Sequence, residues 1–308
     1  MKTLVTGGCG FIGSHIVDDY ITQGHGVSVI DDLSTGSLKN LNPKAIFHQL
    51  DICSPDIESV FQKERFEVVN HHAAQINVRK SVADPLCDAR INIMGSLNLL
   101  VLSARYGVKR FIFASSGGAV YGEPDQYPIS ETTAISPASP YGITKATVEQ
   151  YIQILAGFHG LDHVILRYSN VYGPRQISAS EAGVISIFIN QVLDGKKCVV
   201  FGDGTQTRDY VFVDDVVRAN RTALTCASNI FNIGTGLETS VNKLIELLSG
   251  IAGTEIEHEH DAPRAGEVQR NILDTSRAAK HLNWTPQIQL AQGMEKTFDY
   301  FSRVHATP

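Results

Sequence analysis

No two cysteines in this chain are spaced as Cys-x-x-Cys. The five present (Cys9, Cys53, Cys87, Cys198 and Cys226) are odd in number and widely scattered. That offers neither a redox pair nor an even disulfide framework, and it predicts reduced thiols in a cytoplasmic protein. Positive charge is also short: 26 Lys and Arg stand against 32 Asp and Glu, a net charge of −6. Binding to nucleic acid or to an anionic membrane wants a positive face, so neither partner is expected. No apolar run approaches the roughly 20 residues of a membrane helix. Met1 leads straight into Lys2-Thr3-Leu4-Val5-Thr6, so no signal peptide is expected. A Gly-x-Ser-x-Gly elbow is missing as well, so serine hydrolysis has no support. The run His258-Glu259-His260-Asp261 would put two histidines on one strand face, but no third ligand is placed and no metal is expected.

What is there is ordinary globular composition, 43% hydrophobic and 19% charged, in 308 residues. That length suits one large domain or two that share a core. Strand-like runs fall at 3–6, 27–30, 45–49, 68–71, 110–114 and 163–167. Helix-like stretches at 12–23, 57–63, 88–106 and 141–157 lie between several of them. Alternation of this kind, with continuously apolar strands, predicts an α/β fold whose parallel sheet is covered on both faces. After about residue 170 the pattern loosens, with helices expected at 185–193, 216–225, 241–252 and 290–301. The chain therefore divides into a first domain over 1–173 and a smaller lobe over 174–308. Segments near 205–235 are expected to return to the first domain.

The stretch LVTGGCGFIGSH at 4–15 places Gly7, Gly10 and Gly13 three apart, between a strand and a helix. A tight turn needs a residue that tolerates positive φ, and close approach to a pyrophosphate leaves no room for a Cβ. A helix N-terminus then offers free N–H groups and partial positive charge to the anion. Phe11 and Ile12 begin the apolar face of that helix. The second strand ends in Asp31, eighteen residues past Gly13. A carboxylate there accepts both ribose hydroxyls of an adenosine and repels a 2′-phosphate, which favours NAD over NADP. After the third strand, Asp51 is placed to accept from the adenine amino group and Ile52 to pack on the ring.

Ser139-Pro140-Tyr141 reads as a helix start, with Ser at the cap and Pro at the first position. Tyr141 and Lys145 then share one face, with Cβ atoms about 5–6 Å apart. A tyrosine titrates near 10 in water, so a phenolate base at neutral pH needs about 4 kcal/mol of help. A nearby ammonium has the right sign of field. Ser116, at the end of RFIFASS, supplies a second hydrogen bond to a substrate hydroxyl. Asp214-Asp215 reads as a helix cap and first-turn charge rather than a catalytic pair.

In order along the chain, the glycine loop, FASSGGAVYGE at 113–123, YGITK at 141–145, RYSNVYGPRQ at 167–176, FGDGTQTRDYVFVDD at 201–215 and PRAGE at 263–267 resemble the extended short-chain dehydrogenase/reductase family. The resemblance covers nearly the whole chain. Within the family it is to the compact prokaryotic UDP-glucose 4-epimerases and the nucleotide-sugar epimerases related to them. It implies a Rossmann doubly wound parallel sheet with a smaller, partly discontinuous α/β substrate-binding lobe. It also implies a UDP-hexose substrate, an NAD that ends each turnover as it began, and a homodimer built through a four-helix bundle. Tyr141 would take the proton from the sugar 4-hydroxyl, and the 4-keto sugar would turn over while held by its nucleotide.

By position in those motifs, Asn170, Arg208 and Arg264 resemble diphosphate ligands, and guanidinium groups suit that bidentate task. Glu267 stands where a carboxylate binds the uridine ribose, Val199, Val200 and Phe201 where uracil is flanked, and Val184 and Ile185 beside the diphosphate. The resemblance also carries over Asp32, Leu33, Ser34, Thr35 and Gly36 after Asp31, and His72, Ala73, Ala74 and Gln75 after the fourth strand. Asn92, Ser115 and Tyr168 complete the cofactor-lining set. The stretch SSGGAVYG is one residue longer than the epimerase form, which leaves Ser115 and Ser116 both in contention, with Ser116 expected to face the substrate. Asn271 stands where many epimerases carry a larger side chain beside the sugar, so room for an N-acetyl group is expected. Three rival activities remain: a uronate or pentose epimerase, a 4-keto reductase, and a 4,6-dehydratase. The dehydratase would need carboxylates where Gly117-Gly118 stands. A non-catalytic NAD-sensing protein on the same fold is the rival of another class.

Overall fold

The structure, a computed structural model, describes residues 1–177, 183–263 and 268–306. In chain order it runs β1 (Lys2–Thr6), α1 (Phe11–Thr22), β2 (Gly26–Asp31), β3 (Ile46–Gln49), α2 (Ile57–Glu64), β4 (Val68–His71), α3 (Val78–Ala83) and α4 (Pro85–Ala89). A π-helical turn (Arg90–Gly95) leads into α5 (Ser96–Arg105), β5 (Arg110–Ser116), α6 (Pro140–His159), β6 (Asp162–Tyr168), β7 (Asn170–Tyr172), α7 (Val184–Leu193), β8 (Cys198–Phe201), β9 (Thr207–Arg208) and β10 (Tyr210–Phe212). The rest is α8 (Val213–Ala223), β11 (Asn229–Ile233), β12 (Thr239–Ser240), α9 (Val241–Ala252), β13 (His258–Asp261), β14 (Arg270–Asn271), α10 (Ser276–His281) and α11 (Leu290–His305).

Seven strands form one parallel sheet in the order β11-β6-β5-β4-β1-β2-β3. Six of them follow the doubly wound order of a dinucleotide-binding fold, whose direction reverses between β1 and β4 and opens a crevice there. Both faces are covered, which is why β1, β4 and β5 are buried without alternation. Tyr20, Val17, Val5 and Val217 belong to the core on one face, Phe61, Leu99, Phe111 and Ile152 to the core on the other. The seventh strand, β11, comes from beyond residue 200 and pairs with β6, and α8 packs on α1. A third core, around Phe188, Phe212, Leu244 and Met294, holds α7, α9 and α11 together.

Two elements differ from the sequence reading. The helix expected over 88–106 begins at Pro85, capped by Asp84, whose carboxylate accepts from Cys87 N at 2.9 Å. It then widens into the π turn, where Asn92 points inward and a Cβ on Gly95 would meet Ile52 at 2.5 Å. The helix expected from 216 begins at Val213. Asp214 and Asp215 both lie in its first turn, as expected, but neither caps it: buried Asp215 takes the backbone N–H groups of Gln287 and Ile288 and the guanidinium of Arg218, and so ties the C-terminal segment down.

Candidate active site

The crevice lies at the C-terminal ends of β1, β2 and β4. Gly7 has φ +68°, and a Cβ on it would lie 2.8 Å from Ala73 N; a Cβ on Gly13 would lie 2.2 Å from Gly7 O. Only glycine lets the β1 turn, the start of α1 and the loop after β4 come this close. Gly8 has the same need, since a Cβ would lie 2.7 Å from Val29. Gly10 is the N-cap of α1 and brings no side chain to close the first turn, so the first N–H groups of the helix stay available to an anion. Phe11 packs toward the third core, and Ile12 against the first.

Asp31 is buried at the tip of β2. Its carboxylate accepts from Cys9 N at 2.9 Å and Leu33 N at 2.8 Å. Burial raises its pKa, and those two N–H groups work against the rise. Gly36 leaves space directly over it, for a Cβ would sit 2.8 Å from Asp31 Oδ1. Exposed Asp32 folds on itself, accepting from Ser34 N and Ser34 Oγ, with Thr35 exposed beside it. Asp51 is engaged by Cys53 N at 2.8 Å and by Arg90 at 3.1 Å, while Ile52 is buried. His72 stacks on Tyr168 with ring centroids 6.0 Å apart, and its Nδ1 is buried without a hydrogen-bond partner. Burial, then the charge of Lys145, pushes His72 down to about 3, so it is neutral. A backbone bare of Cβ atoms, an uncapped helix start, a carboxylate at the tip of β2 and an unpartnered ring nitrogen fit a dinucleotide.

Asn92 on the π turn latches the loop after β4. Its Oδ1 accepts from Gln75 N at 2.8 Å and its Nδ2 donates to Gln75 O at 3.0 Å; Ala73 and Ala74 fill the same loop. His71, just before, is a packed strand-end histidine between Thr6 and Ser96.

Ser139 caps α6 through Gly142 N at 3.2 Å, with Pro140 at the first position, and this sets where Tyr141 and Lys145 point. Lys145 is buried; its Nζ donates to Ala114 O at 2.8 Å and lies 5.9 Å from the Tyr141 ring centroid. Burial lowers Lys145 to about 8, against the charges of Asp88 and Glu149. Half-buried Tyr141 is pushed up to about 12, mainly by burial, with a hydrogen bond from Ser116 opposing. Burial therefore works against the depressed phenol that base chemistry needs.

Ser115 and Ser116 point to opposite sides of β5. Successive strand residues face opposite ways; Ser115 donates to buried Glu149, whereas Ser116 meets Tyr141. The Ser115 side chain is thus committed away from the crevice. Glu149 also takes Arg167 Nε at 3.0 Å, and Arg167 donates to Tyr121 at 2.7 Å.

On the substrate side, Asn170 opens β7 and Arg208 lies on β9, with Asn271 of β14 as Arg208's register partner. Asn271 is buried; its Nδ2 donates to Gly117 O at 3.2 Å and its Oδ1 has no partner. Asp209 ties this corner together, accepting from Thr235 N, Gly236 N and Leu273 N. Strand and helix periodicity sorts the apolar pairs. Val199 and Phe201 share the half-covered face of β8 while Val200 is in the core, and Ile185 is core while Val184 is half-buried. The side chains of Val200 and Ile185 therefore pack in the core. Phe201 borders a cavity of about 700 Å³ with Asp203, Gln206, His260 and Gln269. Arg264 and Glu267 lie outside the described residues.

Sequence reasoning passed over Gly8, Asp88, Glu149, Arg167 and Asp209. One signal was present: a charged residue at a core position, such as Arg167 ending an apolar strand, needs a partner. Among the described residues no three His, Cys, Asp or Glu side chains are grouped to hold a metal ion, and no helix is long and apolar enough to cross a membrane.

Sheet order, glycine-lined crevice and the Tyr141–Lys145 face together define the dinucleotide-binding class of doubly wound folds. Residues 3–234 match the model of the NAD-dependent epimerase/dehydratase family. A UDP-glucose 4-epimerase of Mycolicibacterium smegmatis is 44% identical over 308 residues, covering 98% of both chains. A UDP-glucose 4-epimerase of Thermotoga maritima, solved with UDP-glucose, is 48% identical with a TM-score of 0.97 over 99% of both chains. A UDP-glucose 4-epimerase of Thermus thermophilus, solved with NAD, is 40% identical with a TM-score of 0.94, over 98% of this chain and 99% of that one. The chain belongs to the NAD-dependent epimerase/dehydratase family.

Proposed function

We propose that this protein is an NAD-dependent UDP-glucose 4-epimerase, interconverting UDP-glucose and UDP-galactose by inverting C4 of the hexose. The observation that carries the reading is the meeting of Tyr141, Ser116 and Lys145 beside a glycine-lined dinucleotide crevice. The similarity to proteins of that name supports the substrate.

When bound, NAD supplies the hydride acceptor and donor at the sugar's C4 and, oxidised, a positive ring beside the phenol. Gly7, Gly8, Gly10 and Gly13 would hold its diphosphate, Asp31 its adenosine ribose, and His72, Gln75 and Tyr168 its nicotinamide half. Tyr141 takes the proton from the 4-hydroxyl and returns it after the 4-keto sugar has turned. Ser116 holds that oxygen by a second hydrogen bond. Burial pushes the phenol up to about 12, so positive charge beside it has to work against that burial. Lys145, predominantly charged below about 8, supplies one positive field, and its bond to Ala114 O fixes where that field acts.

Asn170 and Arg208 would grip the diphosphate, and Phe201 with Val199 would flank the base, so the sugar alone is free to turn. Elimination of the 4,6-dehydratase kind lacks its carboxylates, because Gly117-Gly118 follows Ser116.

The reading includes a cytoplasmic homodimer. Leu86, Met94, Val101, Ile143, Ile154 and Phe158 are exposed apolar side chains on the α4–α5 segment and α6, between 47% and 83% accessible. So much apolar surface on two neighbouring helical segments supports an interface there. Two such pairs packed face to face make a four-helix bundle.

The test is incubation with UDP-galactose and no added cofactor. UDP-glucose should form without net NADH. Stoichiometric NADH, or no C4 inversion, rejects the reading.

A further inference from the structure

One buried carboxylate near the catalytic pair is used by nothing described so far. Asp88 is 1% exposed, on the short helix α4. Its Oδ1 accepts from Gln75 Nε2 at 2.8 Å and Asn92 Nδ2 at 3.0 Å, and its Oδ2 faces Thr144 Oγ1 at 3.1 Å. Those three partners come from three elements of the site: the loop after β4, the π turn, and the YGITK stretch of α6. Thr144 is the residue before Lys145, and its hydroxyl also lies 2.9 Å from Tyr141 O. Asp88 therefore fixes the spacing of the elements that carry the phenol, the ammonium and the cofactor-side loop.

We propose that Asp88 is a positioning residue for the proposed reaction: its carboxylate, held behind α6 by Gln75, Asn92 and Thr144, sets the charge balance of the Tyr141–Lys145 pair. A carboxylate in this place favours the protonated form of both groups. Asp88 raises the proton affinity of Lys145 and of Tyr141 alike. The other ionisable groups around the pair are Glu149 on α6 itself, paired to Arg167 of β6, His71 at the end of β4 and His72 just after it. Glu149 acts in the same direction as Asp88, but its charge is shared with Arg167 at hydrogen-bond distance. Both histidines are held neutral by burial, so they add no opposing charge. The consequence is a division of labour. Asp88 favours the charged form of an otherwise desolvated lysine, at the cost of a phenol harder to ionise.

The proposal rests on the epimerase reading for its kinetic test and stands without that reading in its spectroscopic one. Asp88→Asn keeps the shape and removes the charge. In the ligand-free protein, the tyrosinate absorbance of Tyr141, isolated by subtracting the titration of Tyr141→Phe, should move to lower pH by about one unit. Both limbs of the kcat profile against pH should move to lower pH together. A merely structural role would lower kcat at every pH and leave limbs and titration where they were, and that result overturns the proposal. If the titration moves and the rate limbs do not, Asp88 sets the charge as inferred and the assignment of Tyr141 as base is what fails. Asp88→Glu, which retains the charge, should keep both limbs at their wild-type positions with a lower kcat. Displaced limbs in that variant also overturn the proposal, and this arm holds even if Asp88→Asn fails to fold.

Discussion

The ammonium of Lys145 lies 5.9 Å from the ring centroid of Tyr141, one helical turn away, and is anchored on Ala114 O. The pair is brought together by local helix geometry, but its charge is governed by tertiary burial.

That burial makes Lys145 a liability for folding. Its pKa falls from 10.5 to about 8, so the unfolded chain binds the extra proton and stability contributed by this site rises as pH climbs from about 8 toward 10.5. Below about 8 the full cost is present. Lys145→Met should therefore be more stable at neutral pH by about 2 kcal/mol, allowing for the lost bond to Ala114, while turnover is abolished. Thermal unfolding of both proteins at neutral and alkaline pH checks it. The gain should shrink as pH rises, and a variant less stable than wild type at neutral pH contradicts the account.

Asn271 is small, buried, and partnered on only one side of its amide. UDP-N-acetylglucosamine should be inverted at C4 as well as UDP-glucose. Asn271→Tyr should cut kcat/KM for the acetylated sugar by at least about tenfold relative to UDP-glucose, since filling a pocket costs a bulky substrate about 1–3 kcal/mol. A panel of UDP-sugars scored by nuclear magnetic resonance reads the ratio. No activity on the acetylated sugar, with an unchanged ratio in the variant, removes the idea.

Leu86 and Phe158 are 83% and 80% exposed on the face proposed for dimer contact. Leu86→Asp combined with Phe158→Asp should convert a dimer to a monomer in sedimentation velocity at micromolar concentration. A monomeric wild type, or an unchanged double variant, contradicts the bundle.

How much of this the sequence made legible follows from the range of the forces involved. The glycine turn, the Ser139 cap and the Tyr141–Lys145 spacing are local, and each reads directly from neighbours a few residues apart. Asp31 was legible because strand, turn and helix lengths in the first βαβ unit are fixed. The side on which Ser115 lies was not legible, because that is decided by Glu149, thirty-four residues away, and by Arg167 behind it. Asp88 and Asp209 escaped for the same reason: their partners, Gln75 and Thr144 for one, Thr235 and Leu273 for the other, meet only in the folded chain. The π turn escaped because a helical pattern of apolar residues does not reveal one widened turn. Of β8 and α7, the apolar runs were visible, but which residue of each pair enters the core is set by the lobe they pack against.

The central claim is that the Tyr141 phenol carries the proton of the reacting hydroxyl. Tyr141→Phe removes that oxygen and leaves the crevice glycines and Asp31 in place. Turnover of UDP-galactose to UDP-glucose by this variant, compared with wild type at saturating substrate, should fall by about 10²–10⁴-fold, while NAD measured on the purified protein stays at the wild-type level. Wild-type turnover in the variant contradicts the account.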